Sequence, residues 1–97
     1  MPKLVCQSGP NAGHEFTITK DLVVLGRQSS CDVQIVDSMA SRAHCHIRRD
    51  GKLWSLVDLG SRNGTLLEGR PLPPYHPEAA WPGANIQLGD MVLQLLE

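Results

Sequence analysis

The chain is built from short apolar stretches that turn-forming residues interrupt at close intervals. Turn signals include "TKD", "RDGK", "GSRNG", "EGRP" and "GD", and no stretch between them is long enough for a helical pattern. Short strands at this spacing are typical of a β-sandwich or a β-barrel. The pattern predicts nine strands, at Lys3–Gln7, His14–Thr19, Leu22–Gly26, Val33–Val36, Ala43–Arg49, Lys52–Leu59, Thr65–Leu67, Asn85–Leu88 and Met91–Leu96.

Turn chemistry adds two hairpins and one irregular segment to this prediction. In "RRDGK" and "IQLGDMVL" a glycine next to an aspartate separates two apolar stretches, which favours a tight hairpin. Residues 70–83 are the least regular part, and four of the seven prolines lie within residues 71–77. Because proline cannot donate a backbone hydrogen bond, we expect this segment to be an edge or a surface loop.

Length and charge narrow the function classes. The 97 residues fit one domain, and the net charge of −1 argues against a general binder of nucleic acid or anionic membranes. No apolar run is long enough to span a membrane, and "MPKLVCQSGP" lacks the apolar region of a secretory signal. Three cysteines without CxxC spacing indicate reduced thiols. We therefore expect a cytoplasmic domain.

Three loops carry polar side chains that a core does not need. They are "LGRQSSCD", "MASRAH" and "DLGSRNGT", and loops of this kind gather at one end of a sandwich. Guanidinium groups, hydroxyls and an amide in one place suit a phosphate group with adjacent peptide backbone. The residues that these loops would bring together are Arg27, Ser41, Arg42, Ser61, Arg62 and Asn63.

The motifs "LGR", "CDVQI", "SRAH", "DLGSRNGT" and "IQLGD", in this order and at this spacing, resemble the forkhead-associated (FHA) domain. The resemblance runs from about Leu4 to Leu95. It implies an all-β fold, an antiparallel β-sandwich of about eleven short strands whose binding loops lie at one end. We expect residues 1–97 to form a single such domain, with a core of about 4–95 and a proline-rich insertion at 70–83.

The resemblance also implies which residues contact a ligand. Arg27 and Ser41 would bind the phosphate of a phosphothreonine, and Arg42 would add a charge beside it. Asn63 would hydrogen-bond the peptide backbone next to the phosphothreonine. Arg62 stands where family members often carry serine or threonine, so it would contact the phosphate or an acidic residue of the peptide.

Five further residues would support the site. Gly26 and Gly64 would let the backbone turn, and Thr65 would start the next strand. His44 would brace the binding loops without touching phosphate, and Ser61 would belong to the same third loop.

Together these features predict a non-catalytic module that recognises phosphothreonine in serine/threonine-kinase signalling. The partner would be a phosphothreonine-containing protein, either a kinase or its substrate, and no cofactor is needed. The alternative is a phosphate-independent interaction domain with the same fold.

Two other chemistries have some support in the residues of the second loop. Alternation along a strand from Ala43 puts His44 and His46 on one face, as two metal ligands would be, but the sequence fixes no third ligand. Ser41, His44 and Asp58 are the residue types of a hydrolase triad, but the chain lacks a GxSxG elbow. We predict neither a metal site nor an enzyme.

Overall fold

The computed structural model describes residues 1–9 and 11–97, so Pro10 of the predicted "SGPNAG" turn lies outside the described residues. The described chain forms eleven strands: β1 Lys3–Cys6, β2 Glu15–Thr17, β3 Leu22–Gly26, β4 Val33–Gln34, β5 Cys45–Asp50, β6 Leu53–Asp58, β7 Thr65–Leu67, β8 Arg70–Pro71, β9 Glu78–Ala80, β10 Asn85–Leu88 and β11 Met91–Leu96. Within this part of the chain, no helix has the length and apolar character needed to cross a membrane.

The strands form two sheets that enclose one core. The larger sheet has the order β2-β1-β11-β10-β7-β8, and the smaller sheet has the order β4-β3-β5-β6-β9. Alternate side chains of the central strands point inward, as in β11, where Met91, Leu93 and Leu95 are buried. They pack against residues such as Ile47 and Leu56 of the smaller sheet. The predicted antiparallel β-sandwich is thereby confirmed, although the short pairing of β3 with β4 is parallel.

All nine strands predicted from the pattern are present, and four of them have the predicted bounds. The predicted hairpins join β5 to β6 and β10 to β11. The pattern missed β8 and β9, which lie in the proline-rich segment and form one edge of each sheet. Both are too short to show alternation, and an edge strand tolerates proline because one side of its backbone needs no partner.

The start of β5 differs from the prediction. Alternation from Ala43 put His44 and His46 on one face, but Ala43 is exposed and His44 is buried. The strand begins only at Cys45, and the preceding backbone is held by other bonds, such as His44 N–H to the Leu25 carbonyl (2.9 Å). A period of two applies only within a strand, so the predicted shared face of the two histidines is wrong.

Gly26, the last residue of β3, has a different role from the predicted turn. Its φ lies outside the positive range, but a Cβ atom here would lie 2.1 Å from the carbonyl oxygen of Arg42 and 2.9 Å from Cys31 Sγ. The next residue, Arg27, donates its N–H to the Ser41 carbonyl (2.9 Å). Glycine is required because two segments of backbone approach each other here without room for a side chain.

We predict that Gly26→Ala lowers the free energy of unfolding by about 1–3 kcal/mol or more, since an added atom has to displace backbone. Urea denaturation measures this change. Gly13→Ala serves for comparison, because Gly13 has open space around its Cα but a φ of 91°, so it reports the cost of alanine at a positive φ without a collision. A Gly26→Ala protein as stable as the wild type would contradict the close approach.

Candidate functional site

The three polar loops lie side by side at one end of the sandwich. The first loop, residues 27–32, follows β3. The second loop, residues 35–44, precedes β5, and the third loop, residues 59–64, joins β6 to β7. The register pairs Leu25 with Cys45 and Cys45 with Asp58, so the strand ends from which the loops leave are neighbours. Between them lies an open cleft of about 210 Å³, which we call the first cleft. Its lining includes Arg27, Met39, Ser41, Arg42, Arg62 and Asn63.

The first cleft is rich in cationic side chains. Arg27, Arg42 and Arg62 all line it and all are exposed. In the described part of the chain, ion pairs within 4.0 Å occur elsewhere, at Lys3–Glu15, Lys20–Asp32 and His76–Glu78. The three guanidinium groups therefore keep their charge available for an anionic ligand, and guanidinium groups suit such ligands because they form paired, charge-assisted hydrogen bonds.

Ser41 joins the second loop to the third. Its Oγ accepts a hydrogen bond from the backbone N–H of Arg62 (2.9 Å). A hydroxyl that accepts one bond still has its own hydrogen to donate. Ser41 therefore holds the third loop in place and keeps a donor for an anion in the first cleft.

Asn63 makes a second bond between the same two loops. Its Nδ2 donates to the carbonyl oxygen of Met39 (2.7 Å). This bond uses one of the two amide hydrogens and leaves the amide oxygen and the other hydrogen for a ligand. The sequence predicted a peptide contact for Asn63, but nothing in the sequence indicated this bond.

His44 is buried between the second and third loops. The backbone N–H of Ser41 donates to Nδ1 (3.0 Å), and Nε2 lies 2.8 Å from the carbonyl oxygen of Gly64. Because a carbonyl can only accept, Nε2 carries the proton and the ring is the neutral tautomer. With both nitrogens bonded to backbone, the ring is not arranged as a general base for Ser41.

Asp58 organises the third loop from beneath. Its carboxylate is buried, and it accepts the backbone N–H groups of Gly60 and Ser61 (both 3.1 Å). It also accepts the hydroxyls of Ser61 and Thr65. The sequence interpretation considered Asp58 only as a triad member and missed this role. The signal was present in "DLGS", because an aspartate commonly bonds the backbone two or three residues ahead in a turn.

The remaining supporting residues lie in the same network. Thr65 begins β7 as predicted, and its buried hydroxyl bonds Asp58 (2.7 Å). Gly64 has a φ of 84°, so it makes a turn that other residues rarely adopt. The Ser61 hydroxyl donates a hydrogen bond to the same Asp58 carboxylate. Gly26 lies beneath the first and second loops, where it permits their contact.

The cysteines next to the site are poor ligands and nucleophiles. Burial, assisted by the negative charge of Asp58, raises the pKa of the Cys45 thiol to about 12. Burial also raises the pKa of Cys31, and both thiols are therefore protonated near neutral pH. Among residues 1–9 and 11–97, no group of three or more His, Cys, Asp or Glu side chains is arranged to hold a metal ion.

A second cleft continues from the first. It has a volume of about 240 Å³ and shares Met39 and Asn63 with the first cleft. Its other walls include Leu66, Gln87 and Asp90. The two clefts form a groove that is cationic at one end and mixed in character at the other, which suits an extended chain better than a compact anion.

Comparisons with known proteins agree on one family. The FHA domain model matches residues 23–89, a range that contains all three loops. The oxoglutarate dehydrogenase inhibitor of Corynebacterium jeikeium (strain K411) is 34% identical over 93 residues, which are 96% of this chain and 62% of that protein. The glycogen accumulation regulator GarA of Mycolicibacterium smegmatis is 36% identical over 69 residues, 71% of this chain and 44% of that protein.

The fold comparison gives the same result. A structure solved for a study of phosphothreonine-dependent FHA domain interactions matches with a TM-score of 0.87 and 26% identity, over 99% of this chain and 95% of that one. This chain spans less than two thirds of the length of either sequence relative.

The bridge made by His44 leads to a stability prediction. His44→Ala strands the Ser41 N–H and the Gly64 carbonyl in a buried place, so we expect the free energy of unfolding to fall by about 1–3 kcal/mol. Thermal or urea denaturation measures it. His46→Ala is the matched control, since His46 is half-buried on β5 and lies outside this bridge. Equal losses from the two substitutions would contradict the bracing role of His44.

Proposed function

The chain belongs to the FHA domain family, and from this membership we propose that it is a module that binds phosphothreonine in partner proteins. The observation that carries the proposal is the first cleft, which combines three arginines free of ion pairs among the described residues with the Ser41 hydroxyl and the Asn63 amide. Phosphate oxygens are the chemical complement of this set.

The phosphate lies in the first cleft. Arg27 donates paired hydrogen bonds to its oxygens, the Ser41 hydroxyl donates another, and Arg42 adds positive charge beside them. The cross-loop bonds hold these groups in position before the ligand arrives. A site that is ordered in advance loses less conformational entropy on binding, so more of the contact energy appears as affinity.

The peptide next to the phosphothreonine crosses the third loop. Asn63 bonds its backbone, and Arg62 contacts the phosphate or an acidic side chain. The residues that follow enter the second cleft, between Leu66 and Asp90. Recognition of this kind combines a charged anchor with main-chain bonds.

The module is non-catalytic and needs no cofactor. Both ring nitrogens of His44 are bonded to backbone groups, and the Asp58 carboxylate accepts four hydrogen bonds. Neither side chain is therefore arranged to move a proton at the cleft, which supports a non-catalytic role. The names of the sequence relatives, an inhibitor and a regulator, fit a binding role.

Partner, extent and compartment follow from the same reasoning. The partner is a phosphothreonine-containing protein in serine/threonine-kinase signalling, either a kinase or its substrate. Residues 1–97 form one FHA domain, with residues 70–83 as an insertion, and the continuous core from Leu4 to Leu95 supports this extent. A cytoplasmic setting fits the three free cysteines.

The first test of the proposal is Arg27→Ala. A phosphothreonine peptide bound with micromolar affinity has a binding free energy of about −8 kcal/mol. Losing one partner of a charge pair removed from water costs roughly 2–5 kcal/mol, so binding should fall to about millimolar or below detection. Titration calorimetry measures the affinity, and a thermal melt checks the fold.

Arg48→Ala is the matched control, because Arg48 is equally exposed but lies on β5, outside the first cleft. Unchanged affinity in a folded Arg27→Ala protein would remove Arg27 from the site. Equal binding of the unphosphorylated peptide by the wild type would instead favour a phosphate-independent interaction domain.

The second test compares phosphothreonine with phosphoserine. The phosphate contacts serve both residues equally, so discrimination has to come from the γ-methyl group. Met39 and Ala40 supply apolar atoms in the first cleft, beside the bond between Met39 and Asn63. One buried methyl is worth roughly 0.8 kcal/mol by transfer, and a dry gap left by serine adds to this. We expect at least about tenfold tighter binding of phosphothreonine, or about 1.4 kcal/mol.

Two peptides that differ only in this residue decide the point by calorimetry. Equal affinities would mean that the site reads the phosphate group alone.

A further inference from the structure

Residues 72–75, which we call the strap, run along the base of the third loop. The backbone N–H of Leu72 donates to the carbonyl oxygen of Thr65 (2.9 Å), and that of Tyr75 donates to the carbonyl oxygen of Asp58 (2.8 Å). Pro74 also forms a β-bridge with Asp58. Asp58 and Thr65 flank the third loop, so the strap ties its two ends together.

Tyr75 adds a contact within the loop itself. A Cβ atom on Gly60 would lie 2.3 Å from the Tyr75 hydroxyl oxygen and 2.8 Å from its Cζ, so the ring is packed against the glycine backbone. Gly60 also has a φ of 73°. A side chain at this position would meet the far end of the Tyr75 ring, so the ring keeps this position against the loop only while residue 60 is glycine.

Burial does not explain this arrangement. The Tyr75 side chain is 71% exposed, so its ring gains little from the core. Its backbone has a φ of 61°, in the left-handed region that bulky residues disfavour. Glycine or asparagine would connect β8 to β9 with less strain. A strained residue with an exposed ring is therefore best explained by what the ring touches, which is the third loop.

We infer that Tyr75 is a positioning residue for the phosphopeptide site, an inference that rests on the proposed function. By packing on Gly60, the ring fixes the start of the third loop, whose next residues lead to Arg62 and Asn63. Arg62 in turn donates its N–H to Ser41 Oγ (2.9 Å). A displacement of Gly60 therefore moves Arg62 and Asn63 first and, through the bond from Arg62, the Ser41 hydroxyl second.

The test uses Tyr75→Asn, because asparagine adopts positive φ readily and has no ring. We expect phosphothreonine-peptide affinity to fall about fivefold to tenfold, which is within the range of interaction energies found between contacting residues, while the melting temperature does not fall. Amide hydrogen exchange at residues 60–63 should become faster in the absence of peptide. Tyr75→Phe is the matched control, since it keeps the ring against Gly60 and should retain most of the affinity.

Gly60→Ala gives an independent check. In the wild type the new methyl meets the Tyr75 ring, so peptide affinity should fall strongly. In the Tyr75→Asn protein the same substitution meets no ring and carries only the strain of alanine at a positive φ, so it should cost less affinity than in the wild type. This dependence of one substitution on the other is the signature of a direct interaction, whereas additive losses would show that the contact does not position the loop.

Three outcomes would overturn the inference. Wild-type affinity in the Tyr75→Asn protein would show that the ring positions nothing, and a parallel fall in affinity and melting temperature would show a merely structural role. A wild-type protein that binds no phosphothreonine peptide would overturn the proposed function first, and the positioning role with it. The affinity of the wild type thus separates failure of the function from failure of the inference.

Discussion

The first cleft depends on one buried imidazole. His44 accepts the Ser41 N–H and donates to the Gly64 carbonyl, so a single side chain fixes the distance between the second and third loops. A buried ring with both nitrogens satisfied stabilises this spacing, because breaking either bond leaves a polar group without water or partner. The bonds from Arg62 to Ser41 and from Asn63 to Met39 join the same two loops and require this spacing.

Two of these side chains serve both the structure and the proposed ligand. Ser41 and Asn63 each spend one hydrogen-bonding group on the neighbouring loop and keep another for the cleft. The three arginines differ from them, since among the described residues their guanidinium groups have no carboxylate partner within 4.0 Å. The roles differ for a physical reason. The neutral Ser41 hydroxyl and Asn63 amide connect the walls of the cleft, and the three arginine charges remain solvated until an anion replaces the water.

The sequence predicted what depends on local pattern and missed what depends on tertiary contact. Strands with turn residues close to their ends follow from the local pattern, so β3, β7, β10 and β11 are predicted with their observed bounds. The edge strands β8 and β9 have no local pattern. The bridge made by His44 and the crowding at Gly26 involve segments distant in sequence, and only the family resemblance indicated the bracing role of His44. The network of Asp58 is local, and its signal in "DLGS" was missed. The five predicted ligand residues do line one cleft, but why they are held there was not predictable from their spacing.

The loops are held by different means, and this separates two parts of the site. The first loop is tied to the second by backbone bonds, from Arg27 to the Ser41 carbonyl and from Gln28 to the Arg42 carbonyl, at the close approach that Gly26 permits. Cys31 Sγ adds one side-chain bond to the Arg42 carbonyl (3.1 Å). The third loop is held mainly by two side chains, those of His44 and Asp58, and by the backbone bonds of the strap. A substitution of Asp58 therefore alters the third loop without removing a bond of Arg27, whereas a substitution of His44 also frees the Ser41 N–H of the second loop. In this architecture the proposed phosphate contact of Arg27 rests on backbone bonds, whereas the proposed contacts of the third loop with the rest of the peptide depend on side chains that sequence change can alter.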